Sequence, residues 1–316
     1  MKIAFLDTKT MGDIPNLEKL REFGEVSLYA TTDPSETLAR VKDQDVVITN
    51  KVVLDKDTLE NSPNLKLICV AATGMNNIDL TAAQDLNITV KNAVDYSTHS
   101  VAQLTFALLL QLINNIPYFD NYVKLGGYSE SDIFTHLGPS YFEISGKQFG
   151  IIGLGNIGRQ VAKIAAAFGA KVVYYSTSGK NHNPDYERLE LNEFLATSDI
   201  ISIHAPLSGK TRNLMAYPQL QQMKKSALLI NVGRGGIVDE NDLAKALNDD
   251  LIAGAGLDVF AAEPIKPDNP LLKINNPAKL VLTPHIAWSS HEARILLMDK
   301  VLQNIRDFFK IDGVHS

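Results

Sequence analysis

The chain has 316 residues, 45% hydrophobic and 21% charged, with a formal net charge of −6 and a single cysteine, Cys69. That length exceeds what one core usually supports, about 250–300 residues, so two domains are expected. The acidic balance argues against a general nucleic-acid binder, one cysteine cannot form an internal disulfide, and no apolar run approaches the roughly 18 residues of a membrane span.

The chain opens on MKIAFLD, which reads as a strand and not as a basic leader with an apolar core, so no signal peptide is read and a cytoplasmic location is expected. Residues 1–98 alternate strands and helices. Strands are predicted at Lys2–Leu6, Glu25–Tyr29, Asp45–Thr49, Lys66–Ala71 and Ile88–Asn92, with helices at Asn16–Phe23, Ser35–Val41 (Ser35 as N-cap), Asp55–Ser62 and Leu80–Leu86. Such alternation specifies a parallel sheet covered by helices. Cys69, in KLICVAA, reads as a buried strand residue. The fourth strand runs into Ala72-Thr73-Gly74-Met75-Asn76-Asn77-Ile78-Asp79. Ligands of open α/β sheets gather at strand carboxyl ends, and a glycine turn there can aim N–H groups at an anion. A plain strand-to-helix loop capped by Asn77 or Asp79 is the other way to read it.

Val101–Leu112 is an apolar helix too short to cross a bilayer, suited to a domain crossover or a subunit interface. Residues 118–146 carry few periodic signals and several aromatics, as an arm packing on another chain would. A second β-α-β series begins near Lys147. Its further strands are predicted at Lys171–Tyr175, Ile200–His204, Ala227–Asn231, Gly254–Val259 and Lys279–Leu282, and its helices at Arg159–Phe168, Leu191–Thr197, Pro218–Met223 and Glu240–Asn248. Glu263–Asn276 reads as a loop, and His291–Lys310 as a final helix returning to the first domain.

Gly153, Gly155 and Gly158 form a G-x-G-x-x-G between the apolar run Lys147–Ile152 and a helically spaced segment. In that context the pattern is a dinucleotide fingerprint, with Gly153 for the turn, Gly155 for close approach of a pyrophosphate and Gly158 for helix packing. The helix start, with Asn156 and Ile157, offers N–H groups to the phosphates.

Three polar residues follow successive strands of this half. They are Arg234 in Asn231-Val232-Gly233-Arg234-Gly235-Gly236, Glu263 after Gly256-Leu257-Asp258-Val259-Phe260, and His285 in Thr283-Pro284-His285. Hydride transfer to a carbonyl needs a cationic fork for a carboxylate or carbonyl oxygen, which Arg234 offers. It also needs a proton donor near neutral pH, which His285 offers, with Glu263 as a carboxylate that favours the protonated ring.

These motifs, with His204-Ala205-Pro206-Leu207 and Thr211, resemble the D-isomer-specific 2-hydroxyacid dehydrogenases over essentially the whole chain, and within them the glycerate dehydrogenases, also called hydroxypyruvate reductases. The resemblance implies an α/β fold of two Rossmann-like domains with an active-site cleft between them: a flavodoxin-like, discontinuous substrate domain (1–98 and 287–316) and a doubly wound NAD(P)-binding domain (99–286). It implies a homodimer built through residues 100–146. His285 would be the acid/base, Glu263 its orienting partner and Arg234 the substrate anchor. Thr73, Gly74 and Met75 would hold the substrate carboxylate, Asp258 the nicotinamide carboxamide, and Pro206, Thr211 and Val232 the cofactor. Trp288, the single tryptophan, is a candidate wall of the substrate pocket, with a core or interface place equally open. The implied reaction is reduction of a small 2-oxo acid, hydroxypyruvate or glyoxylate, to the D-hydroxy acid, with domain closure excluding water. No metal is expected.

The family pattern is not met everywhere. Gln103 stands where the family often has Glu. Ser176 stands where an NAD-preferring member carries an acidic residue for the ribose hydroxyls, and Lys180 follows, so NAD and NADP are both open. Two rivals are a formate- or phosphite-type dehydrogenase, against which Glu263 counts because the formate branch usually has Gln there, and a dinucleotide-sensing corepressor, which can keep the same three polar residues.

Overall fold

Short, predominantly apolar segments set the architecture. Strands such as VVIT, LICV and LLIN bury every residue, the pattern of central strands in a parallel sheet covered on both faces. The computed structural model describes residues 1–311, which divide into two compact units, residues 1–97 with 288–311 and residues 98–287.

The first unit contains β1 (Lys2–Phe5), β2 (Glu25–Leu28), α1 (Thr37–Val41), β3 (Val46–Thr49), α2 (Lys56–Glu60), β4 (Leu67–Val70), α3 (Leu80–Asp85) and β5 (Thr89–Asn92). The sheet order is β2-β1-β3-β4-β5, all parallel, which is the flavodoxin-like order. Cys69 is fully buried in β4, and burial pushes its thiol up to about 12. The C-terminal helix His291–Phe309 belongs to this unit. It starts at Ser290, whose side chain accepts from the Ala293 N–H. Its apolar face, Leu297, Met298, Val301, Leu302 and Ile305, is buried against Ile3, Phe5 and Leu67. Each such side chain contributes about 1.5–3 kcal/mol.

The second unit contains α4 (Thr98–Asn114), α5 (Ile116–Lys124), β6 (Gln148–Ile152), α6 (Asn156–Ala167), β7 (Lys171–Tyr175), β8 (Glu187–Arg188), α7 (Leu191–Thr197), β9 (Ile200–Ile203), α8 (Tyr217–Gln222), β10 (Leu228–Asn231), α9 (Glu240–Asn248), β11 (Gly254–Leu257) and β12 (Leu280–Leu282). Its seven-stranded parallel sheet runs β12-β11-β10-β9-β6-β7-β8, so the strand order reverses between β6 and β9. That switch point is where a doubly wound sheet binds its ligand. The predicted α/β fold of two Rossmann-like sheets is the one found.

Several local expectations change. Asn16–Phe23 is a 3-10 helix, Leu17–Phe23, in place of an α-helix. Gly24, at φ +149°, turns the chain straight into β2 and leaves no room for a longer element. The helical segment expected at Ser35–Val41 has Asp33 and not Ser35 as its N-cap; the Asp33 N–H donates to Glu36 Oε2 at 3.2 Å ahead of a 3-10 turn, Pro34–Glu36. Pro34, already fixed near helical φ, makes the earlier start favourable. The arm 118–146 is not irregular throughout, because α5 covers its first part, and the loop Glu263–Asn276 contains a 3-10 turn at Pro270–Lys273.

Candidate active site

The glycine turn lies at the end of β6. Gly153 has φ +92°, and a Cβ there would lie 2.7 Å from the Ala205 nitrogen. A Cβ on Gly158 would lie 2.4 Å from the Gly153 oxygen. Neither position admits a side chain. Gly155, the N-cap of α6, faces open space. Closed on two sides and open on the third, the turn fits a pyrophosphate laid against backbone at a helix N-terminus. Asn156 Oδ1 accepts from the Arg159 guanidinium, and Ile157 is half-buried.

Three successive strand-end loops carry the polar residues. After β10, Asn231 is buried; its Oδ1 accepts from the Gly233 N–H at 3.1 Å and its Nδ2 donates to the Arg234 carbonyl at 3.0 Å. This clamp fixes Arg234, whose Nη1 donates to the Gly233 carbonyl at 2.8 Å. Val232 is buried and packs within the core on the α4 side of the sheet. Next to Arg234 the backbone of Gly235 lies so near the loop after β11 that a Cβ would sit 1.8 Å from the Phe260 oxygen.

In that second loop Glu263 uses both oxygens. Oε1 accepts from the Phe260 N–H at 3.0 Å and Oε2 lies 2.8 Å from His285 Nδ1. The two side chains are 30% and 24% exposed, enough to meet substrate and enough to shield the pair from full hydration. With Nδ1 held by Glu263, Nε2 is the ring nitrogen left to exchange a proton. His285 also has a left-handed backbone, φ +54°, uncommon outside glycine and held here by N–H bonds to the Asp258 and Thr283 carbonyls at 2.8 and 3.0 Å.

Asp258 is fully enclosed. Its Oδ1 accepts from Thr283 Oγ1 at 2.6 Å and the Ile286 N–H at 2.8 Å, and Oδ2 accepts from the Ala287 N–H at 2.8 Å. Burial raises its pKa, against the lowering effect of those three bonds. Its observed duty is to gather segment 283–287 and so aim His285. A contact to a carboxamide would draw on the acceptor capacity left on Oδ2. Glu240, in the first turn of α9, braces the same region by accepting from the Ala261 N–H at 2.5 Å and Asn269 Nδ2 at 2.6 Å. Nothing in its local sequence distinguishes it from an ordinary helix-start carboxylate.

Other candidate residues have local partners. Thr211 is buried; its hydroxyl donates to the Pro206 carbonyl at 2.7 Å and accepts from the Ser208 N–H at 2.7 Å, so it shapes the exposed loop beginning at Pro206. His204 Nε2 lies 2.8 Å from Ser202 Oγ, and its Nδ1 is enclosed with no partner among the described residues. Burial of the ring lowers its pKa to about 3, so it is neutral at neutral pH, although the residue as a whole is half-buried. Ser176 is buried at the end of β7, and Lys180 is exposed.

In the first unit, Thr73 donates its hydroxyl to the Ala93 carbonyl at 3.0 Å and its own carbonyl accepts from Asn92 Nδ2 at 2.7 Å. These bonds pin the loop after β4, where Gly74 and Met75 are half-buried. Asp79 caps α3, its Oδ1 accepting from the Ala82 N–H at 2.9 Å. Past the end of β1, buried Asp7 accepts from the N–H groups of Asn50, Lys51 and Val52 in the loop after β3 at 2.7–3.3 Å. Trp288 packs on the first unit's core, edge-on to Tyr96 with ring centroids 6.3 Å apart.

Residues 106–287 match the model of the D-isomer specific 2-hydroxyacid dehydrogenase NAD binding domain. The chain belongs to the D-isomer specific 2-hydroxyacid dehydrogenase family. It is 37% identical to a hydroxypyruvate reductase of Blautia hydrogenotrophica, over 98% of this chain and 97% of the relative. It is 38% identical to a glycerate dehydrogenase of Methylorubrum extorquens, over 97% and 96%. Among solved structures it is similar to an acyclic imino acid reductase (Bsp5) in complex with NADPH and D-Arg, with a TM-score of 0.87, 32% identity and 99% of each chain covered. As a D-2-hydroxyacid dehydrogenase it uses NAD(P). No helix among the described residues is long and apolar enough to cross a membrane.

Proposed function

We propose that this dehydrogenase reduces a small 2-oxo acid of the hydroxypyruvate/glyoxylate class to the D-2-hydroxy acid, and runs the reverse reaction. The observation that carries this reading is the 2.8 Å contact between Glu263 Oε2 and His285 Nδ1, on a loop that Asp258 holds by three bonds. When bound, the nicotinamide supplies a hydride to the carbonyl carbon or takes one back. His285 delivers a proton from Nε2 to the carbonyl oxygen, and Glu263 stabilises the ring while it is charged. Arg234 pairs with the substrate carboxylate and polarises the carbonyl. Trp288 has a packing role in this reading, with its edge contact to Tyr96 in support.

The similarity to a hydroxypyruvate reductase and a glycerate dehydrogenase supports the substrate class. Steady-state rates on a panel of 2-oxo acids, each with NADH and NADPH, test it. Hydroxypyruvate and glyoxylate should lead, and cofactor binding without turnover on any of them would favour the sensor instead.

We also infer a cytoplasmic homodimer that pairs through residues 100–146. Leu125, Phe134 and Leu137 are 86%, 90% and 80% exposed, an apolar load that a monomer rarely leaves in water. Phe134→Asp should shift sedimentation from dimer to monomer, and a wild-type protein already monomeric at micromolar concentration would refute the pairing.

A further inference from the structure

We propose that Ser100, in the first turn of α4, is a positioning residue for the proton transfer assigned to His285, and that it acts through the carbonyl of Ala287. The inference rests on His285 being the proton donor and adds what holds that residue in place from outside its own loop.

The segment Thr283–Ala287 has an unusual backbone to maintain. His285 is left-handed at φ +54°, a conformation that a non-glycine residue keeps only where its neighbours over-determine it. Asp258, just past β11, supplies the bonds on the N–H side, accepting from Ile286 and Ala287 at 2.8 Å each. On the carbonyl side the Ser100 hydroxyl donates to the Ala287 oxygen at 2.6 Å. Ala287 is thus gripped at both ends, its N–H by Asp258 and its carbonyl by α4. It is buried, so water is a poor substitute for the hydroxyl. Ala287 is also the last residue of the second unit, and Trp288 already packs on the core of the first. Its carbonyl is therefore the last point at which the second unit can hold the chain that leads back, two residues away, to His285.

The helix is a firm place to hold it from. Val101, Ala102, Phe106 and Leu108 are buried in one core with Ile230 of β10 and with Ala287 itself. At β11 the approach is closer still, because a Cβ on Gly256 would lie 3.1 Å from the Leu108 Cβ. So α4 is seated on the strands whose ends carry Arg234 and Asp258, and Ser100 refers the His285 segment to that same seat. A serine near a helix start ordinarily bonds to backbone close by in sequence. Here the hydroxyl gives its single proton to a carbonyl far along the chain. A hydroxyl that only fastened the helix would affect stability when removed; a positioning residue affects kcat.

The experiment uses the full chain with hydroxypyruvate and compares wild type with Ser100→Ala, Ser100→Cys, Ser100→Thr and His285→Ala. Ser100→Ala should lower kcat about tenfold, less than the roughly 100-fold that a 1 Å displacement can cost, because the Asp258 bonds remain. The KM for hydroxypyruvate and the cofactor affinity by fluorescence titration should stay within about twofold. Ser100→Cys, similar in shape but a weak donor, should lose kcat in the same way, which keeps the test intact if the alanine variant folds poorly. Ser100→Thr keeps the hydroxyl and should recover most of the wild-type kcat. A kcat within about twofold of wild type in both the alanine and cysteine variants, a loss that Ser100→Thr shares in full, or a loss confined to KM or cofactor affinity would overturn the assignment. His285→Ala separates the two readings. Near-normal turnover in that variant would remove the proton donor itself, whereas a crippled His285→Ala beside an unaffected Ser100→Ala would strike out Ser100 alone.

Discussion

Gly235→Ala is a one-carbon perturbation aimed at the joint between two catalytic loops. The added Cβ would sit 1.8 Å from the Phe260 oxygen, 2.1 Å from its carbonyl carbon and 2.7 Å from the Ala261 nitrogen. All three are backbone atoms, so no side chain can swing aside. Ordinary carbon–oxygen contact needs about 3.3 Å, so the loops must part by about 1.5 Å, with an overpacking cost of about 1–3 kcal/mol. Arg234 lies on one side of the joint, and Phe260, whose N–H holds Glu263 at 3.0 Å, on the other. A displacement near 1 Å in a reacting constellation can cost about 100-fold in rate. The variant should therefore lose about two orders of magnitude in kcat/KM for 2-oxo acid reduction, with only a few degrees lost in Tm. Stopped-flow rates and thermal melts, run side by side, measure both. Activity within twofold of wild type would refute the claim that this backbone contact sets the Arg234–Glu263 geometry.

Gly155→Ala is the contrasting case: its Cβ meets nothing within 4 Å, so stability should hold, while cofactor affinity by calorimetry should fall about tenfold or more because the methyl occupies the approach to the phosphate turn. His204 should contribute an acid-side loss of stability. Burial holds its folded pKa at about 3, below the ordinary histidine value of about 6.5, so the unfolded chain takes up a proton that the fold refuses. The cost is absent at pH 8 and grows by about 1.4 kcal/mol per pH unit below about pH 6.5. Urea midpoints at pH 8 and pH 5 should diverge less in His204→Gln than in wild type, and an identical divergence would contradict a buried neutral imidazole.

Much of this molecule is legible because its signals are local. Runs such as KIAF and LLIN identify buried parallel strands by composition alone, and a fingerprint set between a strand and a helix identifies the nucleotide turn. Duties that depend on tertiary partners are harder to see. A sequence cannot tell that the Thr211 hydroxyl is spent on its own loop, or that Asp258 gathers two amides and a hydroxyl before any ligand arrives. Asp7 shows how such a residue could be suspected: a carboxylate directly after the wholly apolar IAFL has nowhere to go but onto neighbouring N–H groups. Glu240 and Ser100 leave no such trace, because each looks like an ordinary helix-start residue until the loop it holds is folded over it. The two-residue strand β8 is too short to carry a period, yet it places Arg188 against the turn after β7.

The most direct test is the kcat/KM of His285→Ala for hydroxypyruvate, measured with cofactor affinity as an independent control. If Nε2 of His285 supplies the proton, kcat/KM falls by about 100- to 10,000-fold, and cofactor still binds through the glycine turn. Near-normal reduction by the variant would contradict the assignment of His285, and with it the role given to Glu263.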